Sequence, residues 1–397
     1  MIEPGLPEAP FALPWDDAGA PEPVLALTVA RRDIGDRFVV RSGGSTYLFV
    51  LDEPALREFY ALAERDASKG LADYRMLVRK LPLELFAERR TLPHDLFGAQ
   101  DIEGYLDNLD WAIEQQLAEL GDEGAFDVFE LARRVGHRLA LTCWMGREAD
   151  VDALIPDFDI LDGAEAFVHP ESMAHQGAER TEELAALHRV EVAVAKLLAT
   201  DARAPSYLDD IAARWADTPD PASGIAGDVV VMHVATMTNL FAALAWTLAL
   251  ALLHPSDDPL EQVALESVRL GQRSIMLREV LRPVEFCGHQ VERGVQIATM
   301  LPVTNDEIGT EFSPARWRDR AVHHDVRITT FGHGGHRCPA QRFSISAIVR
   351  TVDRLRSTFV MTPQFGGVTP LPFQIGGVAR TAEPCPVAYV RRAPEVR

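Results

Sequence analysis

The stretch Phe331-Gly332-His333-Gly334-Gly335-His336-Arg337-Cys338-Pro339-Ala340 places one cysteine after a loop that contains three glycines. Glycine lets a backbone turn tightly, adopt positive φ and approach a bulky group closely. Residues 341–359 have the pattern of a helix, so Cys338 is expected just before a helix N-terminus, where the dipole and free N–H groups favour a thiolate. Such a thiolate suits an axial bond to a haem iron, and the alternative is a buried structural cysteine beside a turn.

Composition and charge restrict the partners and the compartment of the protein. The 397-residue chain carries a formal net charge of −20, which argues against nucleic acid or an anionic membrane surface as a partner. Its start, residues 1–23, is acidic and proline-rich and lacks the pattern of a signal peptide. The four cysteines have no paired spacing, which argues against zinc and against disulfides, so a cytoplasmic location is predicted.

The hydrophobic pattern predicts one domain over residues 1–397, mainly α-helical with a smaller β portion. Polar residues interrupt the apolar stretch 229–253, so a buried central helix is favoured there and no membrane anchor is expected. Prolines such as Pro156 are expected to punctuate the helices. The predicted parts are an extended N-terminal segment (1–24), a β-rich start with a hairpin (25–52), a helical part (53–260), a part with a helix, a β segment and the cysteine loop with its helix (261–360), and a C-terminal β region (361–397).

Two further motifs gain meaning from their order before Cys338. Glu266 and Arg269 lie three residues apart, on one face of a predicted helix. As an exposed pair they would contribute little to stability. Arg316 follows in the proline-containing stretch Phe312-Ser313-Pro314-Ala315-Arg316-Trp317. A carboxylate held by two arginines would form a rigid buried network that fixes the backbone near the cysteine.

Taken together, these motifs resemble the cytochrome P450 family. Phe331-x-x-Gly334-x-x-x-Cys338-x-Ala340 matches its haem-binding signature, with alanine at a position that is usually glycine. Glu266-x-x-Arg269 resembles the ExxR helix of the family, and Arg316 resembles the third member of its Glu-Arg-Arg triad. The resemblance is clearest in residues 230–350. It implies a soluble, bacterial-type single domain of the P450 fold, with haem b between a long distal helix and the proximal cysteine loop.

The resemblance also implies roles for individual residues at the haem. Cys338 would be the proximal thiolate ligand, and Phe331 would shield it, with Gly334 and Ala340 in the same cofactor loop. Basic residues would hold the two haem propionates, because charge-assisted bonds from Arg or His to a carboxylate are strong. The matching positions are His336, Arg278 and, in a stretch Phe86-x-x-x-Arg90 that resembles the family's Trp-x-x-x-Arg helix, Arg90, with neighbouring Arg89 as the alternative.

The distal helix departs from the family pattern. Its usual Ala/Gly-Gly-x-Asp/Glu-Thr falls on Ala235-Thr236-Met237-Thr238-Asn239, so Thr238 replaces the acid and Asn239 the alcohol. Ala235, Thr238 and Asn239 are the predicted catalytic positions, although an asparagine cannot readily change its protonation state. The threonine hydroxyls would alternatively bond back to helix carbonyls.

Three kinds of chemistry remain open for such a distal side. In the favoured one, the protein is a monooxygenase in which water or a substrate hydroxyl completes the proton relay. In the others it uses peroxide, or it catalyses a rearrangement or coupling without ordinary hydroxylation. A function of another class is a haem-based sensor or carrier of a ligand without turnover.

The resemblance implies an apolar pocket and separate electron donors. A terpenoid, steroid, fatty acyl chain or aromatic polyketide would fit such a pocket. The expected electron donors are ferredoxin and ferredoxin reductase, docking near Arg337 and Arg342 on a monomer, and the alternative for these arginines is a solvated helix face. The predicted substrate contacts are Val231, Val234, Ala235, Ser274, Ile275, Met276 and Phe373.

Overall fold

The computed structural model describes residues 5–79, 81–97, 102–162, 169–174, 180–200 and 203–393. Its helices are α1 (Pro23–Ile34), α2 (Glu53–Ala61), α3 (Lys69–Leu77), α4 (Pro93–Leu96), α5 (Ile102–Leu120), α6 (Val128–Met145), α7 (Val151–Asp162), α8 (Thr181–Leu198), α9 (Tyr207–Arg214), α10 (Ala222–Leu253), α11 (Leu260–Gly271), α12 (Leu301–Asn305) and α13 (Gln341–Thr358). The strands are β1 (Glu8–Ala9), β2 (Arg37–Ser42), β3 (Ser45–Val50), β4 (Ala67–Ser68), β5 (Glu123–Asp127), β6 (Ile275–Val280), β7 (Val284–Phe286), β8 (His289–Val291), β9 (Gln296–Met300), β10 (Phe359–Pro363) and β11 (Pro386–Arg391).

The long helix α10 runs through the middle of the main core. It is apolar around most of its circumference, as a helix surrounded by other helices must be, and it packs against α6, α8, α11 and α13. Among the described residues it is the helix long and apolar enough to cross a bilayer, but 75% of its most apolar window is buried inside the protein. The prediction of a buried central helix is confirmed.

A six-stranded sheet of order β1-β2-β3-β9-β6-β4 forms a second layer beside the helices. Strands β2 and β3 pair antiparallel, from Arg37 opposite Val50 to Ser42 opposite Ser45, so the predicted hairpin is confirmed. Gly43 and Gly44 make its turn with positive φ. The sheet matters for the site because β6 and β9 lie directly after α11 and before the segment that leads to the cysteine loop.

A three-stranded sheet of order β10-β11-β5 joins the C-terminal region to the start of α6. Strand β11 pairs antiparallel with β5, placing Pro386 opposite Asp127. The Asp127 carboxylate caps α6 by accepting the N–H groups of Phe129 and Glu130, and it also accepts the N–H of Cys385 at 2.5 Å. One side chain thus fastens a helix to a strand from the other end of the chain.

The structure corrects three details of the predicted organisation. The β-rich start (25–52) begins with a helix, α1, because the Glu22 carboxylate accepts the N–H groups of Val24 and Leu25, and Pro23 suits the first helical position. Pro156 does not end a helix but lies inside α7. The helical part (53–260) also contains the strands β4 and β5. The overall class, one mainly helical domain with a smaller β portion, is as predicted.

Candidate functional site

A cavity of about 260 Å³ lies between α10 and the cysteine loop. The side of α10 that faces it contributes residues one helical turn apart, and the loop contributes the cysteine with its neighbours. Most of the other lining side chains are apolar, including Leu240, Ala243 and Leu301. Of the residues predicted for the site, those that line this cavity are Ala235, Asn239, Ser274, Met276, Phe331, His336, Cys338 and Ala340.

The cysteine loop depends on two glycines with positive φ. At Gly332 (φ +77°) an added Cβ would lie 2.6 Å from the carbonyl oxygen of His336, so the loop crosses itself too closely for any side chain there. At Gly334 (φ +58°) an added Cβ would lie 3.2 Å from the Tyr60 carbonyl oxygen, and this glycine does not line the cavity. The N–H of Cys338 donates to the Phe331 carbonyl at 2.6 Å and closes the loop. This geometry presents the Cys338 side chain to the cavity.

Two opposing effects act on the pKa of the Cys338 thiol. Burial raises that pKa, and the N–H of Ala340, at the start of α13, lowers it by a smaller amount. The helix start thus acts in the expected direction, toward a thiolate, but it is not the larger effect. Desolvation of the sulfur outweighs the donor that the helix start provides.

Glu266 on α11 is the centre of a buried ion network. Its Oε1 accepts bonds from Arg269 Nη2 at 2.8 Å, Arg316 Nε at 3.1 Å and the N–H of Ser313 at 3.1 Å. Its Oε2 accepts from Arg269 Nε at 3.0 Å and from Trp317 Nε1 at 2.9 Å. The side chains of Glu266 and Arg269 are completely buried. The three residues singled out from the sequence are brought together as one unit.

The same two arginines hold the backbone that precedes the cysteine loop. Arg269 Nη1 donates to the carbonyl of Gly309 at 2.8 Å, and Arg316 Nη1 donates to that of Ile308 at 2.9 Å. Trp317, which sequence reasoning did not select, packs in a small cluster against which Phe331 of the cysteine loop rests. The only signal for it was its place next to Arg316. Through Trp317 the network reaches the loop itself.

Basic groups gather at one edge of the cavity. His336 Nε2 lies 3.2 Å from Glu64 Oε2, and the buried Arg278 donates to the carbonyls of Leu62 at 2.6 Å and Ala67 at 3.0 Å. Burial, followed by the charge of Arg278, lowers the pKa of His336. Lys69, which was not predicted, lines the cavity beside His336 and pairs with Asp73. Such a set of donors suits an anionic group at this edge.

Arg90 lies elsewhere. Its guanidinium bonds to Glu88 and Asp217 and stacks over the ring of Trp215 at 4.5 Å. Neither Arg90 nor its neighbour Arg89 lines the cavity. Arg89 is partly buried, and burial lowers its pKa while the charge of Asp228 raises it. The structure therefore places Arg278 close to His336, although Arg278 does not itself line the cavity, and it gives neither Arg89 nor Arg90 such a contact.

On the distal side, Asn239 has a structural bond of its own. Its Oδ1 accepts the N–H of Val378 at 3.1 Å and leaves no room for a side chain at Gly377, whose φ is +65°. Thr236 donates its hydroxyl to the Met232 carbonyl at 2.9 Å, as the alternative interpretation of these threonines expected. The side chain of Thr238 lies outside the described residues. Asn239 thus ties α10 to the turn before the C-terminal strands.

The predicted substrate contacts divide into two groups. Ala235, Ser274 and Met276 line the cavity, and Ser274 Oγ also accepts the N–H of Gly377 at 2.8 Å. The others do not line it: Val231 and Val234 are buried in the helical core, Ile275 packs against the sheet core, and Phe373 is exposed on the C-terminal turn.

The basic residues after the cysteine are only partly available to a partner. Arg337 and Arg342 are exposed, and Arg337 Nε donates to Gln341 at 2.9 Å. Further along α13, Arg350 pairs with Asp110 at 2.5 Å and Arg354 pairs with Glu114, both on α5. These two pairs support the view that this part of α13 is a helix surface with internal partners.

Comparisons with known proteins identify the architecture. No family model matches the sequence, and neither does any curated protein. A solved structure, retinoic acid bound cyanobacterial CYP120A1, superposes with a TM-score of 0.77 over 98% of this chain and 100% of that chain, at 18% sequence identity. At that identity the likeness concerns the fold. The chain has the fold of the cytochromes P450.

Proposed function

We propose that the protein is a haem-thiolate oxidoreductase that inserts one oxygen atom from dioxygen into a hydrophobic small molecule. The observation that carries the proposal is the placement of Cys338 on the wall of an apolar cavity, facing α10 across it. The donor set fits haem b: a sulfur ligand, basic groups at one edge and a glycine loop that lets the backbone approach closely. When bound, a thiolate-ligated haem supplies the chemistry of oxygen activation.

The chain's own residues would hold and orient that cofactor. Cys338 would bind the iron, and Phe331 would cover the sulfur within the loop. His336 and Lys69, which line the cavity, and Arg278, which does not line it but lies close enough to His336 for its charge to lower the pKa of that histidine, would hold the carboxylates of the haem. The Glu266 network would keep the loop at a fixed position behind the cysteine.

The substrate would be apolar. Leu240, Ala243, Val268, Met276 and Leu301 line the cavity and would exclude water from a bound hydrocarbon. The similar structure contains retinoic acid, an isoprenoid carboxylate. That ligand supports a terpenoid-like substrate among the four classes that the sequence suggests.

A second candidate is oxidation driven by peroxide, and Asn239 favours it. The Oδ1 of Asn239 is already engaged by the N–H of Val378, and its amide cannot titrate. With Thr236 bonded to the Met232 carbonyl, this segment has no described acid to relay protons. Peroxide already carries the protons and electrons that the dioxygen route must collect.

Electrons would come from ferredoxin and its reductase in the cytoplasm, and the protein would act as a monomer. Ferredoxins are acidic, and the exposed Arg337 and Arg342 lie on the cysteine side of the molecule. Replacing Arg337 with Glu is expected to slow reduction while leaving substrate binding unchanged. Unaltered reduction kinetics would count against this docking face.

The first test is haem ligation. The protein is reconstituted with haem, and the carbon monoxide difference spectrum of its reduced form is compared with those of Cys338→Ser and of Cys287→Ser, a partly buried cysteine outside the cavity. We expect the red-shifted Soret band of a thiolate-ligated haem in the wild type and in Cys287→Ser, but not in Cys338→Ser. Failure of the wild type to bind haem would overturn the proposal.

The second test separates the two oxidants. Apolar candidates that shift the haem spin state are incubated with dioxygen, NADPH, ferredoxin and reductase, or with hydrogen peroxide alone. Product in the first reaction supports the monooxygenase. Product only with peroxide would replace it by the second candidate, and ligand binding without product in either would favour a sensor or carrier.

A further inference from the structure

Two buried histidines and an aspartate form a continuous hydrogen-bonded chain beside the distal helix. His137 on α6 and His233 on α10 are joined through Nδ1 and Nε2, respectively, at 3.0 Å. The other nitrogen of His137, Nε2, lies 2.7 Å from Oδ1 of Asp159 on α7. His233 is completely buried, and Asp159 is partly exposed. The chain therefore leads from the surface inward across three helices.

The carboxylate determines the direction of these hydrogen bonds. Burial tends to raise the pKa of Asp159, but the bond from His137 and the charge of Arg133 outweigh it and lower that pKa. As a carboxylate, Asp159 can only accept a hydrogen bond, so Nε2 of His137 donates to it, and Nδ1 of a neutral His137 accepts the hydrogen bond that His233 Nε2 donates. The lone pair of a neutral His233 then lies on Nδ1.

His233 Nδ1 has no hydrogen-bond partner within the described part of the protein. A fully buried polar atom without a partner is costly, and such atoms usually contact a water or a ligand. Burial and then the neighbouring His137 lower the pKa of His233 well below its ordinary value. His233 is thus a neutral acceptor whose Nδ1 is left for a water or a ligand to bond.

The two ends of this chain lie in different surroundings. The outer end opens into a surface groove of about 460 Å³, whose charged lining residues besides His137 and Asp159 are Glu130, Arg133, Arg134 and Asp152. The inner end lies on α10 beside the cavity: the ring of His233 does not line it, but the backbone carbonyl of His233 is 3.2 Å from the hydroxyl of Thr236, one turn further on. Ala235, Thr236 and Asn239 line the cavity that contains Cys338.

We propose that Asp159, His137 and His233 form a proton path from the surface groove to the distal side of the Cys338 cavity. The path rests on the proposed function, and it would supply the protons that Thr238 and Asn239 cannot. It enters from the flank of α10, through α6 and α7, rather than along the cavity face of that helix.

One transfer moves a single proton inward. A proton from the groove and a reversal of the hydrogen-bond directions first convert the resting tautomers into a loaded state, in which His137 is an imidazolium paired with the Asp159 carboxylate and neutral His233 has its proton on Nδ1. His233 then gives that proton to a water between its ring and the cavity, and its Nε2 takes the Nδ1 proton of His137. Both rings are then neutral again, in the resting tautomers derived above.

The test uses the haem-loaded, full-length protein and variants that separate transport from packing. His137→Ala opens the groove side, so imidazole added to the solution can replace the missing ring. His233→Phe keeps an aromatic ring beside Phe158, whose ring centroid lies 4.4 Å from that of His233. Imidazole from the groove cannot replace this ring, because position 233 is completely buried. His188→Ala, an exposed histidine on α8 that pairs with Glu191, is the matched control.

We expect both path variants to retain haem and fold but to yield about tenfold less product per NADPH consumed, since positioned proton donors contribute about 10²–10⁴-fold in rate. Imidazole should restore His137→Ala, and neither His233→Phe nor the His188→Ala control should respond to it. Normal product yield in folded, haem-loaded variants would overturn the path, as would a loss in His137→Ala that imidazole fails to restore at concentrations below those at which it binds the haem iron and shifts the Soret band.

A second measurement needs no turnover. Nitrogen NMR of ¹⁵N-histidine-labelled protein should show His233 protonated on Nε2 and bare on Nδ1, and His137→Ala should disturb that tautomer. The opposite tautomer for His233 would overturn the path even in an active enzyme. If haem does not bind through Cys338, the proposed function is wrong. The tautomer of His233 still tests the hydrogen-bonded chain independently of that result.

Discussion

The two sides of the cavity differ in how completely the chain satisfies its own polar groups. On the proximal side, the two oxygens of Glu266 accept five hydrogen bonds, and both of its arginine partners also donate to backbone carbonyls. On the distal side, His233 has a buried nitrogen without a partner among the described residues. The proximal side is a scaffold whose polar groups bond to one another within the chain, whereas the distal side has a buried nitrogen left for a water or a ligand.

The largest effect is expected from breaking the scaffold at Glu266. Glu266→Gln leaves the buried Arg269 without its counter-charge and turns an amide group toward several donors. Loss of one partner of a buried pair costs about 3–5 kcal/mol, so the midpoint of urea unfolding should fall steeply or folding should fail.

The matched control for that change is Glu311→Gln. The side chain of Glu311 is 70% exposed and bonds to Arg316 at 3.2 Å. An exposed pair contributes about 0–1 kcal/mol, so the variant should unfold close to the wild type. Equal losses of stability in Glu266→Gln and Glu311→Gln would show that the buried network stabilises the fold no more than an exposed ion pair does.

A smaller effect is expected at the cysteine loop. Gly332→Ala forces an L-residue into positive φ and drives its Cβ against the His336 carbonyl, which together cost about 2–3 kcal/mol. Gly335→Ala, three residues further on, meets nothing within 4 Å and should stay within about 0.5 kcal/mol of the wild type. Thermal unfolding and the rate of haem loss measure both. Tolerance of Gly332→Ala would mean that the loop is less constrained than its geometry indicates.

The smallest effect is expected on the distal side, at Asn239. Asn239→Ala removes the acceptor of the Val378 N–H, which should cost about 1 kcal/mol. Asn239→Asp keeps an oxygen there, so it should preserve the protection of the Val378 amide from hydrogen exchange. Loss of that protection in Asn239→Asp as well would show that the oxygen is not what holds the turn.

The sequence predicted most where function and local pattern coincide. The Glu266-x-x-Arg269 spacing, Arg316 and the glycine loop could be found because each lies within a few residues of a recognisable partner. Arg90 was chosen by the same kind of matching, yet its guanidinium pairs with Asp217, because a charge pattern alone does not fix where a long side chain lies. Trp317 was overlooked since an indole N–H donor has no spacing rule.

Contacts between distant parts of the chain were beyond single-sequence reasoning. His137 and His233 are 96 residues apart, and only the packing of α6 on α10 brings their rings together. The Ala340 N–H at the helix start lowers the pKa of Cys338, as expected, but burial raises it by more, and burial depends on the whole fold. Helix α1 did have a local signal, the Glu22-Pro23 cap, which the neighbouring strand pattern concealed.

The pairing of β5 with β11 sets an order of events during synthesis. Pro386 leaves the ribosome about 260 residues after its partner Asp127, which is roughly 13–52 s at about 5–20 residues per second. For that time residues 123–127, at the start of the helix that contains His137, lack the strand with which they pair in the fold. A nascent chain paused in this interval offers an edge that other strands can join, so slow translation of the C-terminal region should increase aggregation.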